Sequence, residues 1–112
     1  MTMVSKVEQL YAGKPQPFGP NQSPSSIMKQ KHNTLTIKID GAVEDEQGNK
    51  KVHGGPFMAL HQYSLENYSA LQASFPNTPR SIEKCSIGDN ISALNMNETN
   101  VFIGDQYKIG NA

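Results

Sequence analysis

The sequence predicts a mainly β domain with one or two short helices, and three observations lead there. Leu35, Ile37 and Ile39 alternate with Thr36, Lys38 and Asp40, the two-residue period of a half-buried strand. Near the C-terminal end, Val101-Phe102-Ile103 and Tyr107-Lys108-Ile109 flank Gly104-Asp105, two short strands about a turn. Helical spacing is clear in one stretch, where Leu65, Tyr68, Leu71 and Phe75 share a face.

In chain order, residues 1–33 hold four of the seven prolines and many Ser, Asn and Gln. The apolar patch Val7, Leu10 and Tyr11 reads as an initial strand or arm, and the Pro-rich segment after it as a surface loop. From composition alone a disordered tail fits this region equally well. The domain proper is placed at residues 34–112. Its first strand is the alternating run at Leu35–Ile39, ended by Gly41. A polar loop over residues 44–51 then carries Asp45 and Gln47 toward His53, or is a solvated connection. Ala59–Tyr63 reads as a short strand, with Ala59, His61 and Tyr63 on one face. Ser64 is a suitable N-cap, and Glu66 adds negative charge in the first turn. The helix is therefore placed at residues 65–74 and is stopped by Pro76. Its aromatic stripe is read as core. Residues 82–91 are β-like but interrupted at Gly88-Asp89, and residues 95–100 are turn-like.

A length of 112 residues allows one domain with a modest core. Ten basic and ten acidic residues give a formal net charge of zero. No basic stripe argues for nucleic acid and no charge block for a membrane surface. The apolar runs are too short for a transmembrane helix. Met1–Leu10 lacks a continuous apolar segment of the signal-peptide kind. The single cysteine excludes an internal disulfide. A cytoplasmic location is the resulting expectation.

The most informative stretch runs from Lys50 to Tyr68. A charged segment enters His53, and Gly54-Gly55-Pro56 turns the chain. Adjacent glycines allow backbone angles closed to other residues and let a ligand approach the amides. An imidazole beside them can donate, accept or carry charge near neutral pH. The stretch is thus either a site for an anion or cofactor, or a plain turn. Zinc bound by His53, His61 and Cys85 is disfavoured, because the histidines are eight residues apart and the cysteine is distant. Lys84 does not activate Cys85, since neighbours on a strand face opposite ways; Cys85 is read as a small buried or half-buried residue. Ser64, His53 and Asp45 lack a nucleophile elbow. The glycines match neither dinucleotide nor P-loop spacing.

Lys51-Val52-His53-Gly54-Gly55-Pro56, with Ala59, Tyr63 and Tyr68 at their spacing, resembles the central signature of the MOSC family, named for the C-terminal domain of molybdenum cofactor sulfurase. Asp45-Glu46-Gln47 upstream resembles its Asp-x-Gln element. Downstream, Gly88-Asp89-Asn90-Ile91 resembles Gly-Glu-Asn, and Val101-Phe102-Ile103-Gly104-Asp105 resembles Val-x-Ile-Gly-Asp. The ordered set extends from roughly Gly13 to Ala112 and is most similar to the bacterial YiiM-like branch. The resemblance implies a β-barrel-like fold, of which this chain carries the N-terminal portion. It implies molybdenum cofactor as ligand, reduction of N-hydroxylated compounds such as hydroxylaminopurines, and a small-molecule substrate. The positions it implies for cofactor binding are His53, Gly54, Gly55, Asp45 and Gln47. His53 and the two glycine amides would meet phosphate or pterin, and Asp45 would orient His53. It implies no direct metal ligand here.

Three departures accompany the match. Glu44 stands where relatives have Gly, and Phe57-Met58 stands where they have an acidic residue followed by Lys or Arg. The chain stops before the family's cysteine, which makes a truncated, inactive domain the expectation. The alternative expectation is a non-catalytic shortened domain that pairs with itself, as a homodimer, or with a partner through exposed strand edges. A sulfur-transfer role ranks third because it needs the same cysteine.

Overall fold

The computed structural model describes residues 4–48, 51, 53–78, 82 and 86–112. Its main sheet has four strands in the order β4-β1-β8-β7. Strand β1 is Lys6–Ala12, β4 is Gln30–His32, β7 is Gln62–Ser64 and β8 is Ile91–Leu94. The inner strand β1 runs antiparallel to both neighbours, pairing Tyr11 with Lys31 on one side and Val7 with Ala93 on the other. A register shift between Val7 and Gln9 kinks it. Strand β7 joins parallel to β8, with Gln62 opposite Ile91. Two small ribbons lie outside this sheet: β2 (Gln16–Phe18) with β3 (Ser23–Ser25), and β5 (Ile37–Lys38) with β6 (Gly41–Ala42). The architecture is mainly β with a single helix, α1 (Asn67–Ser74), among the described residues, and the sheets do not close on one another.

The apolar residues of the first strand explain its place. Val7 and Leu10 pack on Ile91, Ala93 and Met96, and Val101 and Ile109 cover the same cluster. Tyr11, Ala12 and Ala93 are buried. The small residues Ala12, Ser92 and Ala93 have no exposed surface. Ser92 is buried as a polar residue because its hydroxyl donates to Asp89 Oδ2 at 2.7 Å.

Several expectations need correction. The alternating run at Leu35–Ile39 forms only the two-residue β5, and Ile39 is 83% exposed. Alternation predicts a strand with one face on a core, but this ribbon has a single partner. Gly41 does not end the strand; at φ 136° it opens the return strand, with its Cα beside the Ala59 carbonyl. The strand expected at Ala59–Tyr63 lies at Gln62–Ser64. Ser64 is therefore buried in β7 and is not the N-cap, which falls at Glu66 without a side-chain capping bond. The Glu66 carboxylate accepts instead from Asn95 N and Asn97 Nδ2. Helix α1 otherwise matches its expected span and ends at Phe75, before Pro76. Tyr68 is its buried residue, packing edge-on against Tyr63 at 5.0 Å, whereas Phe75 is exposed.

The hairpin expected at residues 101–109 is also absent: the segment has a turn at residues 103–104 and is otherwise irregular. Asp105 takes the Phe102 N–H on its carboxylate at 2.9 Å, and its own N–H returns to the Phe102 carbonyl. Those are the groups a strand pair would have used. Phe102 is 63% exposed and Ile103 fully so. Strand β8, which sequence reading does not isolate, does the sheet's central pairing instead.

Candidate functional site

A cleft of about 650 Å³ opens between the residue 24–29 segment, the residue 45–48 loop, the turn after His53, and the Gly88–Asn90 corner. Of the five positions marked in the sequence, Asp45, Gln47, His53 and Gly54 line it together. Gly55 is adjacent in the chain but is not a lining residue. Both glycines have positive φ, 91° and 80°, so the turn requires them. Gly54 has a second constraint, since a Cβ there would lie 2.8 Å from Gln47 Oε1. Gln47 thus lies against the turn toward which the residue 44–51 loop is expected to carry it.

Asp45 does not orient His53. Its side chain is 4% exposed and its Oδ1 lies 2.8 Å from Lys29 Nζ, whose side chain is 5% exposed. Oδ1 also accepts the Gly13 N–H at 2.9 Å, and Oδ2 accepts from Asn90 Nδ2 at 3.0 Å. The carboxylate is held from three sides by groups other than the imidazole. His53 is exposed at the cleft's rim.

Three lining residues carry no role in the sequence motifs. Lys29 lies in the polar N-terminal region, and no local pattern links it to Asp45, sixteen residues on. Asn90 is visible only as the last residue of Gly88-Asp89-Asn90. Buried, it gives Nδ2 to the Tyr11 carbonyl at 3.1 Å as well as to Asp45. Its Oδ1 accepts the His61 N–H at 3.0 Å, and its own N–H donates to the His61 carbonyl at 2.7 Å. His61, which the sequence places on a strand face and disfavours as a zinc ligand, has its main chain clamped by Asn90 and lines the cleft. Beside it, buried Asp89 accepts the Tyr68 hydroxyl at 2.5 Å, tying α1 to this corner.

Among the described residues no group of three or more His, Cys, Asp or Glu side chains is gathered for a metal ion. Cys85 lies outside the described residues. No helix among those residues is long and apolar enough to cross a membrane. The cleft's size suits a small-molecule ligand. Its walls combine Phe57, Met58 and Leu60 with side-chain donors from Lys29, His53 and His61. A flat polar heterocycle with an anionic tail, as in a pterin phosphate, fits that combination.

Comparison with known proteins places the chain among its relatives. The MOSC domain model matches residues 49–112. The chain is 38% identical over 104 residues to Protein YiiM of Escherichia coli strain K12, covering 92% of this chain and 46% of that protein. It is 36% identical over 87 residues to a protein named Reductase from Gibberella moniliformis, covering 77% of this chain and 15% of that one. A solved structure described as a hypothetical protein superimposes with a TM-score of 0.67 at 28% identity, over 92% of this chain and 39% of its own. The chain thus spans less than half the length of each relative.

Proposed function

The chain belongs to the MOSC domain family, and from that premise we propose that it binds molybdenum cofactor as part of an oxidoreductase acting on N-hydroxylated small molecules. The observation that carries this reading is the convergence of Asp45, Gln47, His53 and Gly54, different in type and position, on one cleft of ligand size. The relative named Reductase supports the reaction class. When bound, molybdenum cofactor supplies two-electron reduction with transfer of the substrate's oxygen. This chain's residues would bind and orient it. His53 and the Gly54 amide would meet the pterin or its phosphate. Gln47 braces the turn, and the Asp45–Lys29–Asn90 group fixes the floor. A cytoplasmic location belongs to the same proposal.

The test is to purify the chain from cells rich in molybdenum cofactor and assay bound pterin by fluorescence after oxidation. Stoichiometric pterin in the parent chain and its loss in His53→Ala is the expected result. A chain that emerges pterin-free from such cells would refute cofactor binding. Molybdenum-dependent reduction of an N-hydroxylated base by a full-length relative should likewise vanish in its His53→Ala counterpart.

A second reading, self-association through open edges, is favoured by one feature. Strands β4 and β7 each pair on a single side, and Phe102 and Ile103 are exposed. Light scattering that shows a strict monomer would dismiss it.

A further inference from the structure

Lys29 stands apart from every motif in the chain, yet it is the most deeply buried cation bordering the cleft. An ammonium has three N–H donors. Among the described residues its one polar contact is Asp45 Oδ1 at 2.8 Å. Two donors are therefore left on a side chain that is only 5% exposed, and unpaired buried donors are costly. Asp45 does not move to serve them, because Gly13 N and Asn90 Nδ2 hold it in place. The result is a cation of fixed position with spare donor capacity at the floor of a cleft. His53 and His61 border the same space and offer further donors.

We propose that Lys29, held by Asp45, is the cleft's oxyanion receptor, accepting a phosphate or carboxylate oxygen on its two remaining donors. Charge-assisted bonds of this kind are among the strongest a protein makes. The inference concerns the cleft of the proposed function, and it rests on that reading only for the site. Oxyanion binding needs neither molybdenum nor a redox step. A phosphate tail and an acidic substrate present the same chemistry, so the two sources are separated by experiment.

The probe is NMR of lysine-labelled protein, following the side-chain CH₂ signal of Lys29, assigned by its loss in Lys29→Arg. Inorganic phosphate and acetate are titrated separately. A saturable shift of the Lys29 signal with phosphate supports a phosphate site, and one with acetate alone supports a carboxylate site. The double variant Lys29→Met/Asp45→Asn removes both charges, while the amide oxygen it places at position 45 still accepts from Gly13 N. It should weaken binding of the active anion by about tenfold or more. A Lys29 signal unmoved by either anion overturns the proposal. Equal binding by the double variant does so as well. Should that variant fail to fold, the titration of the parent chain still decides. Phosphate binding at Lys29 in a chain that never acquires pterin would defeat the cofactor reading and leave this one standing. Pterin retained by the double variant, together with a Lys29 signal unmoved by either anion, would do the reverse.

Discussion

Removal of Asp45 should be far more damaging than removal of Lys29, although the two form one ion pair. Their side chains are 4% and 5% exposed, so the pair lacks the solvent screening that makes surface pairs nearly worthless. Asp45→Ala strands a buried ammonium, a change that typically costs about 3–5 kcal/mol. It also leaves Gly13 N and Asn90 Nδ2 without this acceptor. Each such loss adds about 1–3 kcal/mol when no water replaces it. The sum rivals the whole stability of an ordinary domain, about 5–15 kcal/mol. Lys29→Met leaves the carboxylate with two donors and should cost nearer the lower end of the single-removal range. Adding Lys29→Met to Asp45→Ala should then recover stability, since the stranded charge disappears. Urea unfolding of the four proteins measures this directly, with Lys29→Met reporting the pair even if Asp45→Ala is unfolded in buffer. A loss below about 1 kcal/mol for Asp45→Ala, the magnitude of an exposed pair, would refute the reasoning. So would a double variant no more stable than Asp45→Ala.

Other perturbations test separate parts of the structure. Tyr68→Phe removes the donor that meets Asp89 at 2.5 Å and should cost about 1–3 kcal/mol, read from thermal melts; an unchanged Tm would mean water replaces the hydroxyl. Gly54→Ala and Gly55→Ala both force a side chain into positive φ, but only Gly54→Ala also drives a Cβ to 2.8 Å from Gln47. Gly55→Ala should cost about 1–2 kcal/mol and Gly54→Ala measurably more; the opposite order in urea melts would contradict the turn described. Acid should also weaken the fold. Glu44 lies below its ordinary 4.5, chiefly through the Thr36 N–H. Glu66 does so first through its own backbone N–H, with Asn97 and Asn95 adding to it. A carboxylate depressed in the folded state stabilises it above the unfolded value, and that contribution fades as pH falls below 4.5 through the folded value. Glu66 is exposed and Glu44 half-buried with its carboxylate at the surface, so the effect is small. Glu44→Gln/Glu66→Gln should flatten the acid-side decline in Tm, and an unaltered decline would place its origin elsewhere.

The fold is legible where local chemistry decides it. Leu65, Tyr68 and Leu71 with Pro76 behind them place α1 to within two residues of its start. The positive φ of Gly54, Gly55 and Gly104 follows the turns read from sequence. Strands fare worse because a strand's fate depends on its partner. Leu35–Ile39 has the better alternation, yet it is left with two paired residues and an exposed face. Ile91-Ser92-Ala93-Leu94 has little β signature, yet it lies between β1 and β7. What favours it is packing: Ser92 and Ala93 have no exposed surface, and overpacking there by larger side chains would be destabilising. Phe102 and Ile103 look like core strand residues but are exposed, because Asp105 claims the backbone donor beside them.

The candidate site is half legible for the same reason. The Gly-Gly turn and its partner Gln47 are near neighbours in the chain, and a motif of that size records their relation. Asn90 cannot be read that way. Its side chain reaches His61 across 29 residues, Asp45 across 45 and Tyr11 across 79. It stands one residue before β8, so the bonds that anchor the sheet also anchor Asp45 and, through it, Lys29. The floor of the cleft is therefore tied to the sheet, since Gly13, just after β1, and Asn90, just before β8, both bond Asp45. Residues joined in this way carry no shared local pattern, which is why Asp45 lies at the cleft while its partner is Lys29 and not the His53 that the motif suggests.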